Sequence, residues 1–263
     1  MTQKSTHFSH AISRKPSQSI VDGLRAVDVG APDFATLMVH HGDYVAALRS
    51  TGAEVTVLPA MEEFPDAVFV EDAALCLREL AIIMRPGAPS RLGEANAMKP
   101  TLEAMYSNLA QINGPGFIEG GDILVSEHEI LVGLSDRTTQ EGVDELAEIV
   151  APFGYGVRVV QTPHGVLHLK TDCSLLDGNT ILSTPLLDAS GCFDGYTVIH
   201  TAEGESACAN SIRYNDLVLM PTGFPETKAR VEAAGFVVKN IGNTEAAKVD
   251  GGLSCMSLRF SPS

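Results

Sequence analysis

The chain predicts an α/β fold assembled from a repeated unit. Two observations carry this expectation. The hydrophobic period switches repeatedly between two and about 3.6 along the sequence. A strand, a hairpin partner, a helix and a further strand recur in that order, at least three times and as many as five, with different residues in each copy. Units arranged around a centre bring their loops together on an axis, and loops held by a rigid scaffold are where binding residues concentrate. No Ser- or Pro-rich linker divides the sequence, so it reads as one domain, 1–263.

The elements follow in order. Residues 7–14 read as a strand. Pro32 opens a helix through Phe34, Leu37, Val45 and Leu48 that stops near Gly52. Val55 to Leu58 is a strand ended by Pro59. Short strands are expected near 67–70, 73–77 and 81–84, and a helix over 91–109. Asp122 to Val125 and Ile130 to Gly133, joined by the polar turn Ser126-Glu-His-Glu129, form a hairpin. A helix from Thr138 to Val150 and a strand over 157–160 complete that unit. The hairpin pattern returns at 173–182 and at 209–220, the latter followed by a helix from Pro225 to Ala234 and a strand over 236–239.

Bulk composition narrows the function. Apolar residues make up 44% of the chain and charged residues 19%, which are globular values. The formal net charge of −15 argues against nucleic acid as a partner, since binding it relies on clustered Lys and Arg. It permits attraction of a cationic small molecule. Cys76, Cys173, Cys192, Cys208 and Cys255 show no metal-ligand spacing, so zinc is not expected. The N-terminal residues lack the apolar core of a signal peptide. No stretch approaches the ~18 consecutive apolar residues of a membrane helix. The expected location is the cytoplasm, where thiols stay reduced.

One sulfur stands apart. Cys255 closes Asp250-Gly-Gly-Leu-Ser-Cys255, where two glycines allow close approach to another group. A reactive thiol needs such a setting and a packing cysteine does not. His168 is polar within the otherwise apolar Val166-Leu167-His168-Leu169, and strand alternation puts it on the face opposite Leu167 and Leu169. His164 is a weaker rival in a Pro-Gly loop, and His40 and His41 read as solvated. Glu119, in Glu119-Gly-Gly-Asp122, is flanked by glycines that let a carboxylate meet a ligand. Asp66, Glu71 and Asp72 lie in an apolar stretch and are costly to bury unless something positive pairs with them. A guanidinium is a planar fork that carboxylates bind bidentately. Arg91 and Arg137 are candidates for a substrate α-carboxylate. A thiol, an imidazole and fixed carboxylates are the parts of a cysteine-nucleophile enzyme acting on a cationic substrate.

Taken together, several motifs resemble the dimethylarginine dimethylaminohydrolases of bacterial type. They are Ser19 to Leu24, Phe64-Pro-Asp-Ala-Val-Phe-Val-Glu-Asp72, Met84-Arg-Pro-Gly-Ala88 with Ser90-Arg91, Glu119-Gly-Gly-Asp122, Leu167-His-Leu-Lys-Thr171, Ala209-Asn210 and Val249 to Met256. They span nearly the whole length, in order. The resemblance implies a pentein fold, a five-bladed α/β propeller of ββαβ units with pseudo-fivefold symmetry and a central active site. It implies hydrolysis of asymmetric dimethylarginine and monomethylarginine to citrulline and an amine, with no metal and no organic cofactor. Carried onto this chain, Cys255 is the nucleophile and His168 the acid and base. Asp72 and Glu119 hold the guanidinium, Arg91 and Arg137 the α-carboxylate, and Asp66 with the Val249 backbone the α-amine. Leu24 sits on a mobile lid. The partner is a small cationic amino acid, and a homodimer is compatible with all of this. Related deiminases on the same fold typically have Asp two residues after the histidine. Lys170 stands there in this chain, which favours the methylated substrate over arginine.

Overall fold

A computed structural model describes residues 5–263. The local rules of the sequence are visible in each helix. In α1 (Phe34–Arg49) the Asp33 side chain accepts a hydrogen bond from Thr36 N at 2.8 Å, satisfying an amide that has no partner within the helix. Leu37, Tyr44, Val45 and Leu48 form its buried stripe, and Gly52 takes a positive φ of 87° just beyond it. In α4 (Gln140–Val150) Thr139 caps the N-terminus, and Val143, Leu146 and Val150 face inward. In α6 (Pro225–Ala233) Pro225 occupies the first turn, where its missing N–H costs nothing.

Fifteen strands are formed among the described residues: β1 (His10–Arg14), β2 (Glu54–Leu58), β3 (Ala74–Cys76), β4 (Ala81–Ile83), β5 (Leu109–Gln111), β6 (Ile123–Val125), β7 (Ile130–Leu134), β8 (Val157–Gln161), β9 (Cys173–Leu175), β10 (Thr180–Ser183), β11 (Thr197–His200), β12 (Ile212–Tyr214), β13 (Leu217–Pro221), β14 (Val237–Ile241) and β15 (Leu258–Phe260). They make five three-stranded sheets, β15-β1-β2, β3-β4-β5, β6-β7-β8, β9-β10-β11 and β12-β13-β14. Every sheet repeats one rule: its first strand runs antiparallel to the middle one, and the middle strand runs parallel to the third. A parallel step needs a crossover connection, which α1, α4 and α6 supply in their blades. The first blade is closed by the two ends of the chain, with Ile12 opposite Leu258.

Each first strand is preceded by a short 3-10 turn: Val70–Ala73, Gly120–Asp122, Leu169–Thr171, Ser206–Ala209 and Ser254–Met256. Successive turns touch around the axis. The candidate residues Glu71, Asp72, Glu119, His168 and Cys255 all lie in these turns or immediately before them, so pseudo-symmetry gathers segments that are distant in sequence. Apolar clusters fill the space between blades. One combines Leu37, Tyr44, Leu48, Val55 and Tyr214, and another combines Ile82, Ile130, Val132, Leu146 and Val150.

Three local expectations need correction. Residues 67–70 are not a strand: the apolar run Val68-Phe69-Val70 leads into a 3-10 turn, and a short buried run has no period that separates the two outcomes. The helix expected over 91–109 is broken into α2 (Leu92–Asn96) and α3 (Lys99–Glu103), and its last residues enter β5. Pro100 cannot donate to a continuing helix, so the chain restarts there. Ala95, Met98 and Leu102 still present one buried face. His41 is not solvated. It is buried in α1, where its Nε2 lies 3.0 Å from Ser13 Oγ and burial lowers its pKa to about 4. The short helix α5 (Pro185–Asp188) and the strands β11 and β15 were not anticipated.

Candidate active site

One cavity of about 170 Å³ is lined by Cys255, His168, Asp66, Asp72, Arg91 and Arg137, with Leu24 and Val249 also on its wall. Thiol and imidazole, 87 residues apart in the chain, therefore share one chamber that also carries three carboxylates and three guanidinium groups, Asp250 and Arg25 being the third of each.

The nucleophile segment is shaped by contact rather than by left-handed backbone at its glycines. Asp250 supplies the positive φ, 56°. A side chain at Gly251 would meet the Phe69 ring at 2.3 Å, and one at Gly252 would meet the Asn210 amide at 2.1 Å. The two glycines thus seat the turn against its neighbours. Asn210 Oδ1 accepts from Ser254 N at 2.9 Å, and Gly252 N points at the Cys255 sulfur at 3.4 Å. Burial, followed by the charges of Asp72 and Glu71, pushes the Cys255 thiol up to about 12. A shift in that direction favours the neutral thiol at neutral pH.

His168 is extended and stands at the start of its turn, where its backbone N–H donates to Thr171 Oγ1 at 3.2 Å. It does not follow the strand alternation expected for it, since Leu167 lines the same cavity. Its Nε2 lies 2.7 Å from Glu119 Oε2. Burial alone lowers an imidazole pKa, but Asp72, Glu119 and Asp122 around this ring more than reverse that and raise it to about 9. The same pairing holds Glu119 well below the usual carboxylate range. His168 is therefore a cation at neutral pH. Asp122, the last residue of Glu119-Gly-Gly-Asp122, anchors the turn from behind: it accepts from Leu169 N at 2.8 Å and from the hydroxyls of Ser135 and Thr138, each at 2.7 Å. Both glycines are required by packing. A side chain at Gly120 would meet Glu71 O at 1.9 Å, and one at Gly121 would meet Asp72 and His168 at 2.8 Å.

The carboxylates divide. Asp72 Oδ1 accepts from Gly121 N at 2.9 Å and Oδ2 from Arg91 at 2.6 Å, and the residue faces the cavity. Asp66 Oδ1 accepts from Leu24 N at 3.0 Å, while Asp250 Oδ2 accepts from Ala26 N at 2.6 Å. The segment carrying Leu24 is pinned at two points over the cavity by two acids. Glu119 does not hold a ligand edge in this arrangement. It is fully buried, and its oxygens serve His168, Gly87 N at 2.9 Å and Arg137 at 3.4 Å. Glu71 is a clear correction. Its carboxylate turns away from the chamber to Lys170 and Arg259, each 2.6 Å from Oε1, and to Ser254 Oγ, 2.7 Å from Oε2. In a turn with about three residues per repeat, consecutive side chains diverge by about 120°, so Glu71 and Asp72 cannot face the same way. Lys170 accordingly places its ammonium outside the chamber.

The two arginines also differ. Arg91 is 5% exposed and donates to Glu94, to Asp72 and to Phe69 O at 2.9 Å, leaving two of its five N–H groups. Glu94, which the sequence reading passed over, is pushed by burial up to about 7 in spite of Arg91. Arg137 is more open, at 22% side-chain exposure. Phe69, Arg25 and Asp250 also line the chamber and were not anticipated. The acid in Asp250-Gly-Gly was the available signal for the last of these. Asp72, Glu119 and His168 each offer a ligating atom within 4.8 Å of the others, a spacing that suits a metal ion. Those atoms are already engaged with Arg91, Gly121 N and one another, and Arg91 supplies the positive charge.

A channel ringed by five ββαβ blades, with its polar residues on the axial turns, defines a pentein propeller. Relatives identify the branch. The model of the eukaryotic N,N dimethylarginine dimethylhydrolase family matches residues 34–171. The N(G),N(G)-dimethylarginine dimethylaminohydrolase of Pseudomonas aeruginosa is 39% identical over 96% of this chain and 100% of its own length. A solved structure of Pseudomonas aeruginosa DDAH, a cysteine-to-serine mutant complexed with citrulline, superposes with a TM-score of 0.94, 39% identity, and coverage of 97% of this chain and 100% of that one. A dimethylarginine dimethylaminohydrolase in which histidine is replaced by glycine, captured as an adduct with S-methyl-L-thiocitrulline, gives a TM-score of 0.93 at 39% identity, covering 96% of this chain and 100% of that one. The chain belongs to the dimethylarginine dimethylaminohydrolase family. No helix among the described residues is long and apolar enough to cross a membrane.

Proposed function

We propose that this protein hydrolyses N-omega-methylated arginine, asymmetric dimethylarginine and monomethylarginine, to citrulline and dimethylamine or methylamine, through a covalent intermediate on Cys255. The observation that carries this reading is the shared chamber, in which a thiol, a carboxylate-held imidazolium and Asp72 surround a space sized for a planar cation.

The substrate guanidinium enters beside Asp72, and its positive charge offsets the acids that keep the Cys255 thiol protonated. The thiol loses its proton to solvent as the cation arrives, and the thiolate attacks the guanidinium carbon. The tetrahedral adduct cannot expel a nitrogen anion. His168, charged because Glu119 and its neighbours stabilise the imidazolium, protonates the methylated nitrogen as the C–N bond breaks. Dimethylamine leaves and an S-alkylthiouronium remains. His168, now neutral, takes a proton from water while the oxygen attacks the same carbon. The C–S bond breaks, the sulfur takes the remaining hydroxyl proton and leaves as the thiol, and citrulline is formed. Glu119 orients the ring and fixes which nitrogen carries the proton. Arg137, the more open of the two guanidinium groups, takes the α-carboxylate, with the two spare N–H groups of Arg91 behind it. The free oxygen of Asp66 and the Val249 backbone receive the α-amine under Leu24. Lys170 puts no acid into the chamber where deiminases have one, which leaves room for N-methyl groups.

The test is an end-point citrulline assay with asymmetric dimethylarginine, monomethylarginine, arginine and agmatine, run beside Cys255→Ser. The methylated amino acids are expected to have the highest kcat/KM, with agmatine, lacking a carboxylate for Arg137, the poorest. Cys255→Ser should lose at least about a thousandfold in kcat. Faster turnover of plain arginine would overturn the substrate, and an active serine variant would overturn the nucleophile.

A further inference from the structure

A larger cavity lies on the other side of the axial turns. It encloses about 400 Å³ and shares none of the residues of the chamber just described. The middle residues of the five first strands all line it: Leu75, Leu124, Ser174, Arg213 and Arg259. These positions are equivalent in the five blades, so the wall is apolar on two blades and cationic on two, with a hydroxyl on the fifth.

Its charge is unbalanced at depth. Lys170 and Arg259 both bond one oxygen of a single carboxylate, Glu71. Arg213, half-buried, donates to a backbone carbonyl, Asn215 O, and lies over the Phe236 ring; Asp216 and Asp177 act on it through space, and among the described residues no acid is bonded to it. The other two acids on the wall, Glu79 and Glu127, belong to the turns that follow β3 and β6. Glu79 takes the Tyr155 hydroxyl, and Glu127 is exposed. Ser174, 4% exposed, has a buried hydroxyl with no hydrogen-bond partner among the described residues. Two largely buried cations on one carboxylate leave positive charge in excess, at a cost in free energy that an entering anion would recover. In a protein of net charge −15, this is a local basic pocket.

We propose that this cavity is a second binding site, specific for a small monocarboxylate. The carboxylate takes Arg213 and Arg259, and its apolar tail lies on Leu75 and Leu124. The half-and-half wall selects this class over a bare inorganic anion, which would have nothing to place on the leucines.

Butyrate titrated into the protein calorimetrically tests it. Binding is expected in the millimolar range or tighter, and none is expected for neutral butyramide. Arg213→Gln combined with Ser174→Leu, which adds a third leucine to the ring, should weaken butyrate at least about tenfold while leaving citrulline formation within about twofold. Arg137→Gln, on the catalytic side, should leave butyrate affinity unchanged. Absence of butyrate binding, equal binding of butyramide, or loss of binding in Arg137→Gln with retention in the pore variant would each overturn the proposal. Crystals of the unsubstituted protein soaked in 3-bromobenzoate need no substitution: an anomalous peak between Leu124 and Arg213 supports the site, and a peak confined to the Arg137 chamber, or no peak, refutes it.

Discussion

Glu71 and Asp72 are consecutive, equally buried at 3% exposure, and face opposite cavities. Their surroundings differ in charge balance. Glu71 is answered by two cations and a hydroxyl, and although burial alone raises its pKa, Lys170 and Arg259 reverse the shift and lower it. Asp72 shares its one bonded cation, Arg91, with Glu94. A buried carboxylate with more than enough partners is a structural joint. One whose single partner is shared keeps an appetite for a further cation. The same local sequence thus supplies a strut on one side of the turn and a binding group on the other.

The sharpest way to break that contrast is to neutralise each acid. Asp72→Asn should lower kcat/KM for the methylated substrate by about a hundredfold, the worth of a charged hydrogen bond of ~3 kcal/mol, with a smaller loss of stability, since Asn still accepts from Gly121 and Arg91 keeps Glu94 and Phe69 O. Steady-state kinetics beside thermal unfolding decides this. Glu71→Gln should do the reverse. It leaves Lys170 and Arg259 without their shared counter-ion and should destabilise the fold by about 3 kcal/mol, a fall in Tm of roughly 10 °C, while KM moves less than about threefold. If Glu71→Gln raised KM as Asp72→Asn does, the division between strut and binding group would be wrong.

Glu119→Gln sharpens the comparison on the catalytic side. Removing this acid takes away part of what holds His168 protonated, so the alkaline limb of the kcat profile should move to lower pH, toward the ordinary imidazole range. The sign for stability follows from the raised pKa. The contribution of the charged His168 is fully present below the unfolded value near 6.5 and is lost as pH rises through about 9. Chemical denaturation across that window should show a smaller loss in Glu119→Gln. An unmoved limb would mean that Glu119 does not govern the proton. The smallest effect is expected from Ser254→Ala, which cuts the hydroxyl linking Glu71 to the segment before Cys255. Stability should fall by about 1–2 kcal/mol and kcat/KM by less than about threefold.

The repeated unit was legible because three blades carry clear hairpin signals, two of them followed by a helix. The first blade is assembled from both chain ends, and β15 has only three residues to announce it. The fourth has the four-residue helix α5 in place of a full crossover helix. The candidate residues could be found from glycines beside acids and beside a lone sulfur, and from a histidine in an apolar run. What misled was direction: Glu71 was read with Asp72, and Glu119 was read as touching a ligand when it touches His168 instead.

By itself, the sequence determined the residue types of the chemistry and the local elements that carry them, because caps, turn formers and hydrophobic period act over a few residues. Only the tertiary structure decided which way each side chain in the axial turns faces and which charges meet there. Those pairings join positions about 50 to 190 residues apart, and their electrostatics depend on burial and distance, which no local pattern encodes.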